Sequence, residues 1–301
     1  MKKNFLSSLD LTRNEIFETF ELARKYKNNV SYYPNNGKIL GLIFDKASTR
    51  TRVSFQVAMS RLGGFTVDLN PNTSQIGRGE PIKDTARVLS KYCDVLAIRT
   101  YKQSDLKEYA KWSTIPIINA LTDLEHPCQA LADYLTILEE FNSFDNVTIS
   151  YLGDGNNVAN SLILCGALLG INIRIASPKG FEPKPEILNK ALQIHNNPEK
   201  LIVTNDIYEA VKGSSVIYTD VWASMGEEHE SDLKAKQFKG FTLSTEVLSA
   251  AKQEAIVLHC LPAYRGKEIT NEVFESKGSR IFEQAENRLY AQQALLASIL
   301  I

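Results

Sequence analysis

The sequence predicts an α/β protein of two doubly wound parallel-sheet domains, with a ligand site in the cleft between them. Three observations carry this reading. Short β-branched runs, apolar on both faces, recur along the chain, as the strands of a covered parallel sheet require. They alternate with segments of helical spacing, which is the βαβα rhythm of a doubly wound architecture. The rhythm also runs twice over 301 residues, a length that suits about two domains.

In chain order the expected strands are 39–45, 65–69, 94–100 and 115–119, then 147–152, 171–176, 201–204, 215–221 and 255–261. Segments 52–62, 82–91, 157–169 and 184–195 have helical spacing and fall between them. A further helical stretch, 127–141, lies between the two sets of strands and is expected to link them. The last stretch, 279–301, reads as a helix with no strand after it. No short repeat and no Pro- or Gly-rich linker separates the halves, so they are expected to pack closely, and their cleft is the default ligand site.

Composition narrows the partners. With 34 Lys and Arg against 35 Asp and Glu, there is no overall field to attract nucleic acid or an anionic membrane. Any anion must be held locally. The four cysteines, Cys93, Cys128, Cys165 and Cys260, form no CxxC pair, and a chain of this length needs no disulfide staples. The N-terminal lysines are not followed by an apolar core of the secretory type, and no apolar stretch is long enough to span a bilayer. A cytoplasmic location is expected by elimination.

The first chemical signal follows the first strand. Lys46-Ala47-Ser48-Thr49-Arg50-Thr51-Arg52 joins strand 39–45 to a helical run expected from Val53. Ligands of open α/β sheets bind at strand C-termini. This strand end is also a helix N-terminus, with unpaired N–H groups and partial positive charge. A lone Ser or Thr there is ordinarily a cap. Three hydroxyls and two guanidinium groups within residues 48–52 point instead to a phosphate cradle. No GxxxxGK[ST] loop occurs, so a nucleoside triphosphate is not indicated.

The second half carries a decoy. Gly153-Asp154-Gly155-Asn156-Asn157 begins like a dinucleotide fingerprint, but Val158 occupies the third glycine position, and no acidic residue ends the next strand. The asparagines suit a small polar ligand better. Two later strands also end in polar loops, Asp220-Val221-Trp222-Ala223-Ser224-Met225-Gly226 and His259-Cys260-Leu261-Pro262. Asp220 offers a carboxylate to an ammonium group, or else caps a turn. His126, Cys128, His259 and Cys260 invite a zinc hypothesis, but adjacent residues rarely ligate one metal, so no metal and no cofactor are expected. Cys93, Cys128 and Cys165 read as buried, inert thiols. No GxSxG elbow is present.

Taken in order, Ser48-Thr49-Arg50-Thr51-Arg52, His126-Pro127-Cys128-Gln129, Asp220 with Ser224-Met225-Gly226, and His259-Cys260-Leu261-Pro262 resemble the aspartate/ornithine carbamoyltransferase family over nearly the whole chain. The first two segments are shared across that family. The last two point to its ornithine-using members. Aspartate-using members typically have HPLP in place of His259-Cys260-Leu261-Pro262 and a lysine in the loop that here reads Ser74 to Glu80, where Gln75 and Arg78 stand but no lysine. Many members have Thr at Cys128, and Cys also occurs.

The resemblance implies a carbamoyl-phosphate-binding domain over residues 1–130, an ornithine-binding domain over 131–278, and a C-terminal helix, 279–301, packed back on the first. It implies that Ser48, Thr49, Arg50 and Thr51 hold the phosphate, with Gln75 supplied by an adjacent subunit of a homotrimer. Arg99 and His126 would meet the carbamoyl oxygen, Gln129 the carbamoyl amine, and Arg288 would fold onto the same end. Cys260 and the Leu261 carbonyl would line the carbamoyl site and receive the δ-amine. Asn157, Ser224 and Met225 would hold the ornithine carboxylate, and Asp220 its α-ammonium. Arg99, His126, Cys260 and Arg288 are the implied catalytic residues, and a cis Leu261–Pro262 bond is expected. Carbamoyl transfer to aspartate or putrescine is the competing activity; a non-catalytic anion-binding module on the same fold is the competing class.

Overall fold

The computed structural model describes residues 3–29, 36–46, 48–70, 79–223 and 231–300. The chain divides into two compact units. The first comprises Met1–Ala132 with Glu286–Ile301, and the second Asp133–Ala285.

The first unit carries helix α1 (Arg13–Lys27), then strand β1 (Ile39–Phe44), α2 (Thr49–Arg61), β2 (Phe65–Leu69), α3 (Ile82–Tyr92), β3 (Val95–Arg99), α4 (Gln103–Trp112) and β4 (Ile117–Leu121). Helix α5 follows at Pro127–Phe141. The strands form one sheet in the order β2-β1-β3-β4, parallel throughout. The interior pair β1 and β3 is almost wholly buried. Gly41 lets them close: a Cβ there would lie 2.5 Å from Leu96 Cδ2.

The second unit carries β5 (Thr148–Leu152), α6 (Asn157–Leu169), β6 (Asn172–Ala176), α7 (Pro185–His195), β7 (Leu201–Thr204), α8 (Ile207–Val211) and β8 (Val216–Thr219). It continues with α9 (Ser231–Gln237), α10 (Thr245–Ser249), β9 (Ile256–His259) and α11 (Asn271–Phe274); α12 is Ile281–Ile299. Its parallel sheet runs β7-β6-β5-β8-β9. Trp222, Phe238 and Phe241 join strand residues such as Leu152, Ile217 and Val257 in the core on one side. Among the described residues no helix is long and apolar enough to cross a membrane.

Every expected strand forms, with informative differences at the ends. The fourth occupies Ile117–Leu121 rather than 115–119. Pro116 cannot donate to the ladder, though its carbonyl accepts from Leu96 N–H at 3.0 Å, and an irregularity between Ile98 and Arg99 carries the pairing on to Leu121. Strands β8 and β9 stop at Thr219 and His259, before Asp220 and Cys260, so both residues enter loops at the sheet edge. The edge strands are not covered on both faces as expected: Phe65 and Val67 of β2, and Ile202 and Val203 of β7, are exposed. The helix expected from residue 52 begins at Thr49, so Thr49-Arg50-Thr51-Arg52 is its first turn.

Helix α6 shows how a loop is fixed. Asn156 caps it, its Oδ1 accepting from the N–H groups of Val158 and Ala159 at 2.9 and 3.1 Å. The preceding turn docks through Gly153 N–H to Ala176 O at 3.0 Å and Gly155 N–H to Phe181 O at 2.8 Å. A Cβ at Gly155 would fall 2.2 Å from Pro183 N and 2.5 Å from Glu182 C, both backbone atoms. Gly155→Ala should therefore cost about 1–3 kcal/mol of stability, read as a lowered urea midpoint at unchanged slope. An unchanged midpoint would show that the turn yields.

Candidate active site

In the first unit the cradle residues sit where β1 hands over to α2. Ser48 is the N-cap, in an extended conformation, and its hydroxyl makes no capping bond. Thr49 is exposed, Arg50 half-buried and Thr51 buried. Arg52 turns elsewhere. Its guanidinium pairs with Asp68 at 2.7 Å and lies over the Phe44 ring, whereas the sequence read it beside Arg50 as facing a phosphate. Once residues 49–52 are helical, positions two apart point to different faces.

Arg99 is the last residue of β3 and is buried. The next strand delivers His126 through a stapled loop. Thr122 N–H donates to Glu125 O at 2.9 Å, Glu125 N–H donates to Thr122 Oγ1 at 3.2 Å, and the Glu125 carboxylate accepts from Ser7 Oγ and Ser8 N–H at 2.6 and 2.8 Å. His126 is buried directly before α5, and its carbonyl accepts from Gln129 N–H at 3.0 Å. Arg288 on α12 donates to Thr51 Oγ1 at 2.8 Å and also to Gln129 Oε1. Thr51, Gln129 and Arg288 therefore form one hydrogen-bonded group within the unit.

Burial holds the His126 pKa well below 6.5, and the positive charges of Arg288, Arg99 and Arg50 add to the effect in that order. His126 is therefore neutral near pH 7. It can donate one N–H to a carbonyl oxygen while the three guanidinium groups supply the charge. Cys128 is buried, donates its thiol to Asn119 O at 3.3 Å, and is pushed up to about 12 by burial, with Arg288 opposing. It is an inert packing residue, as are buried Cys93 and Cys165.

In the second unit the strand ends converge on Asp220. This carboxylate is buried, and its two oxygens accept from neutral donors: Cys260 Sγ at 3.0 Å and Asn156 Nδ2 at 2.9 Å. Among the described residues no cation pairs with it. Asn157 is the first residue of α6. The loop bearing Cys260 and Leu261 is set by His259, whose Nδ1 accepts from Leu261 N–H at 2.9 Å. The ring proton therefore lies on Nε2, facing Glu268 Oε1 at 3.1 Å, and Glu268 also accepts from Tyr264 N–H at 2.6 Å. Leu261 has φ +61°, and the Leu261–Pro262 bond is cis.

Asp220, His259 and Cys260 bring metal-ligand atoms within 4.8 Å of one another. This differs from the His126, Cys128, His259 and Cys260 set considered from the sequence. Both His259 ring nitrogens are already engaged, so the imidazole would have to give up a bond to bind a metal. Gln75, Ser224 and Met225 lie outside the described residues. The sequence reading gave Asn156, with Asn157, to a small polar ligand, whereas its side chain caps α6 and holds Asp220; it did not single out Glu268, which holds His259. Asn156 did carry a signal, being the Ser/Thr/Asp/Asn-type residue directly before a helical run. Glu268 carried none.

Two family models match the chain. The aspartate/ornithine carbamoyltransferase carbamoyl-P binding domain matches residues 3–139, and the Asp/Orn binding domain matches residues 145–299. The chain belongs to the aspartate/ornithine carbamoyltransferase family. Within that family it is 67% identical over 297 residues to an ornithine carbamoyltransferase of Prochlorococcus marinus (strain MIT 9312), covering 99% of this chain and 96% of that protein. It is 56% identical to one of Nostoc punctiforme, covering 99% and 97%. Among solved structures, ornithine carbamoyltransferase from Pyrococcus furiosus superposes with a TM-score of 0.94 at 44% identity, covering 98% of this chain and 96% of that one. The anabolic ornithine carbamoyltransferase from Campylobacter jejuni gives 0.93 at 42% identity, covering 99% and 98%. The carbamoyl-P model spans Arg50, Arg99, His126 and Gln129, whereas Asp220 and Cys260 fall in the Asp/Orn model.

The His126 environment sets a pH dependence. The folded pKa is lowered, so below about pH 6.5 the unfolded chain takes up a proton that the folded chain refuses. This contribution to stability is complete above pH 6.5 and is lost as the pH falls through that value. Urea denaturation from about pH 8 to pH 5.5 should show the decline, and His126→Gln should flatten it. An equally steep decline in the variant would remove His126 as its source.

Proposed function

We propose that this protein transfers the carbamoyl group of carbamoyl phosphate to the δ-amine of L-ornithine, giving L-citrulline and phosphate in arginine biosynthesis, in the cytoplasm. The identity with relatives bearing the ornithine carbamoyltransferase name carries the choice of ornithine, and Asp220 fits it, a buried carboxylate that accepts from a thiol and an amide and, among the described residues, from no cation. A buried charge calls for a counter-charge. The α-ammonium of an amino acid supplies it, and Cys260 on the same carboxylate marks where the side-chain amine arrives.

The first unit is assigned to carbamoyl phosphate. Ser48, Thr49, Arg50 and Thr51 meet the phosphate at the N-terminus of α2, with Gln75 arriving from a neighbouring subunit. Arg99 and His126 point donors at the carbamoyl oxygen, Gln129 takes the carbamoyl amine, and Arg288 ties Thr51 to Gln129. The second unit is assigned to ornithine: Asp220 takes the α-ammonium, Asn157 with Ser224 and Met225 the carboxylate, and Cys260 with the Leu261 carbonyl the δ-amine.

The neutral δ-amine attacks the carbamoyl carbon, and negative charge grows on the carbonyl oxygen. A donor aimed at such an oxygen is typically worth about 3–4 kcal/mol. The C–O bond to phosphate then breaks, and the departing phosphate takes the proton released by the amine. No covalent enzyme intermediate is needed, and Cys260 positions rather than attacks. Alignment of the two substrates supplies much of the remaining acceleration.

Self-association as a homotrimer fits the exposed apolar side of the first unit, where Phe65 and Val67 on edge strand β2 and Val53 on α2 face solvent in the isolated chain.

Carbamoyl phosphate offered with L-ornithine, L-aspartate and putrescine in parallel should yield citrulline alone; product only from another amine would overturn the ornithine assignment, and no product would favour a binding module. Arg50→Ala should raise the KM for carbamoyl phosphate at least about tenfold, and Asp220→Asn that for ornithine by a similar factor. Equal effects of either variant on both substrates would contradict the division of labour. Phe65→Asp should lower the oligomer mass by light scattering and reduce activity with it; an unchanged mass would place the interface elsewhere.

A further inference from the structure

Residues 4–8 run beside β4 and reach the loop that delivers His126. Phe5 is buried and bridges Ile118 in parallel, with Phe5 N–H donating to Ile117 O at 2.8 Å and Asn119 N–H to Phe5 O at 2.7 Å. Leu6 O accepts from Asn119 Nδ2 at 2.9 Å and from Gln103 Nε2 at 3.1 Å. The next two residues turn onto Glu125. Ser7 Oγ donates to one carboxylate oxygen at 2.6 Å, and Ser8 N–H donates to the other at 2.8 Å.

Glu125 is only 3% exposed. Burying a carboxylate is costly unless its oxygens are hydrogen-bonded, and each oxygen here has a donor from the same short segment. The Glu125 backbone is held as well, its N–H and its carbonyl both bonded to Thr122. Thr122 Oγ1 in turn donates to Gln103 Oε1 at 2.6 Å. On the other side, the His126 carbonyl accepts from the N–H groups of Gln129 and Ala130 at 3.0 and 3.3 Å, which starts α5. The backbone is thus pinned on both flanks of one residue, and that residue is the buried His126.

We propose that Glu125 is a positioning residue for the reaction: its carboxylate, clamped by Ser7 and Ser8, sets where the His126 ring stands. This rests on the reading above, in which His126 donates to the carbamoyl oxygen. Misplacing an aligned group by about 1 Å can cost about a hundredfold in rate. The loss falls on turnover, because ornithine is assigned to other residues. Glutamine can keep the clamp: its amide oxygen accepts from Ser8 N–H while its NH2 donates to the Ser7 hydroxyl, which accepts as well as donates. Alanine removes both bonds.

Steady-state kinetics with carbamoyl phosphate and ornithine test the assignment in the full chain and five variants, at a temperature where circular dichroism shows each one folded. The variants are Glu125→Ala, Glu125→Gln, Ser7→Ala, His126→Gln and the Glu125→Ala/His126→Gln double variant. Glu125→Ala should lower kcat about tenfold or more and leave the ornithine KM within about twofold. Glu125→Gln should return kcat to within about threefold of the parent. In the double variant the Glu125 change should cost no more than about twofold beyond His126→Gln, because the group it positions is already gone. An unchanged kcat in Glu125→Ala, a Glu125→Gln as slow as Glu125→Ala, or full additivity in the double variant would overturn the proposal. If Glu125→Ala does not fold, Ser7→Ala decides in its place: it removes one of the two bonds to the carboxylate and should lower kcat at least about threefold. The parent's kcat in that variant overturns the clamp. A parent that makes no citrulline overturns the ornithine reading and this inference together. An active parent slowed by His126→Gln but indifferent to Glu125→Ala overturns the inference alone.

Discussion

Parallel pairing is the constraint on which the rest depends. Both sheets are parallel throughout, so each strand delivers its following loop to the same edge. In the first unit that edge receives Ser48 and Arg50 after β1, Arg99 at the end of β3 and His126 after β4. In the second it receives Asp154 to Asn157 after β5, Asp220 after β8 and Cys260 after β9. Residues far apart in the chain become neighbours because their strands are neighbours: β5 pairs with β8 and β8 with β9, which brings Asn156, Asp220 and Cys260 within hydrogen-bonding distance. The helices then add what strands cannot. They expose N–H groups at their first turns, on α2 for one unit and α6 for the other.

Much of this was legible because the chemistry is local. The Ser48 to Arg52 segment reads as a phosphate cradle without knowledge of the fold, because its hydroxyls and guanidinium groups fall within a few residues at one strand end. Strand and helix alternation was equally plain, since the interior strands are buried on both faces and keep an unbroken apolar run. What failed depended on periodicity or on distant partners. Arg52 reads as a second phosphate ligand if the helix starts after it. With the helix starting at Thr49, a separation of two residues is a rotation of about 200°, and Arg52 finds Asp68 instead. The edge strands β2 and β7 read as core because their residues are of strand type, and nothing in a single run of residues tells an edge from a centre.

The supporting residues were hidden for a different reason. Asn156 lies 64 positions from Asp220, and Lys234 lies 80 from its ion-pair partner Asp154. No short motif spans such distances, and only the strand order β6-β5-β8-β9 makes them adjacent. Glu268 is nearer, 9 positions from His259, but a lone acidic residue in a loop carries no sign that it will be buried against an imidazole.

The two units handle charge in opposite ways, and both suit a reaction that brings an anion to an amine. In the first, cations gather around a histidine that burial and those same cations keep neutral. A protonated imidazole would add a fourth positive charge to that group, whereas the neutral ring adds none and keeps one N–H donor. In the second, a carboxylate is buried and then given a thiol and an amide in place of a lysine. Neutral donors fix the direction of Asp220 and bring no counter-charge to it. A lysine in their place would have made Asp220 half of an ion pair, as Asp154 is with Lys234. Burial is thus met in two ways, by a ring that stays neutral among cations and by a carboxylate held by neutral donors.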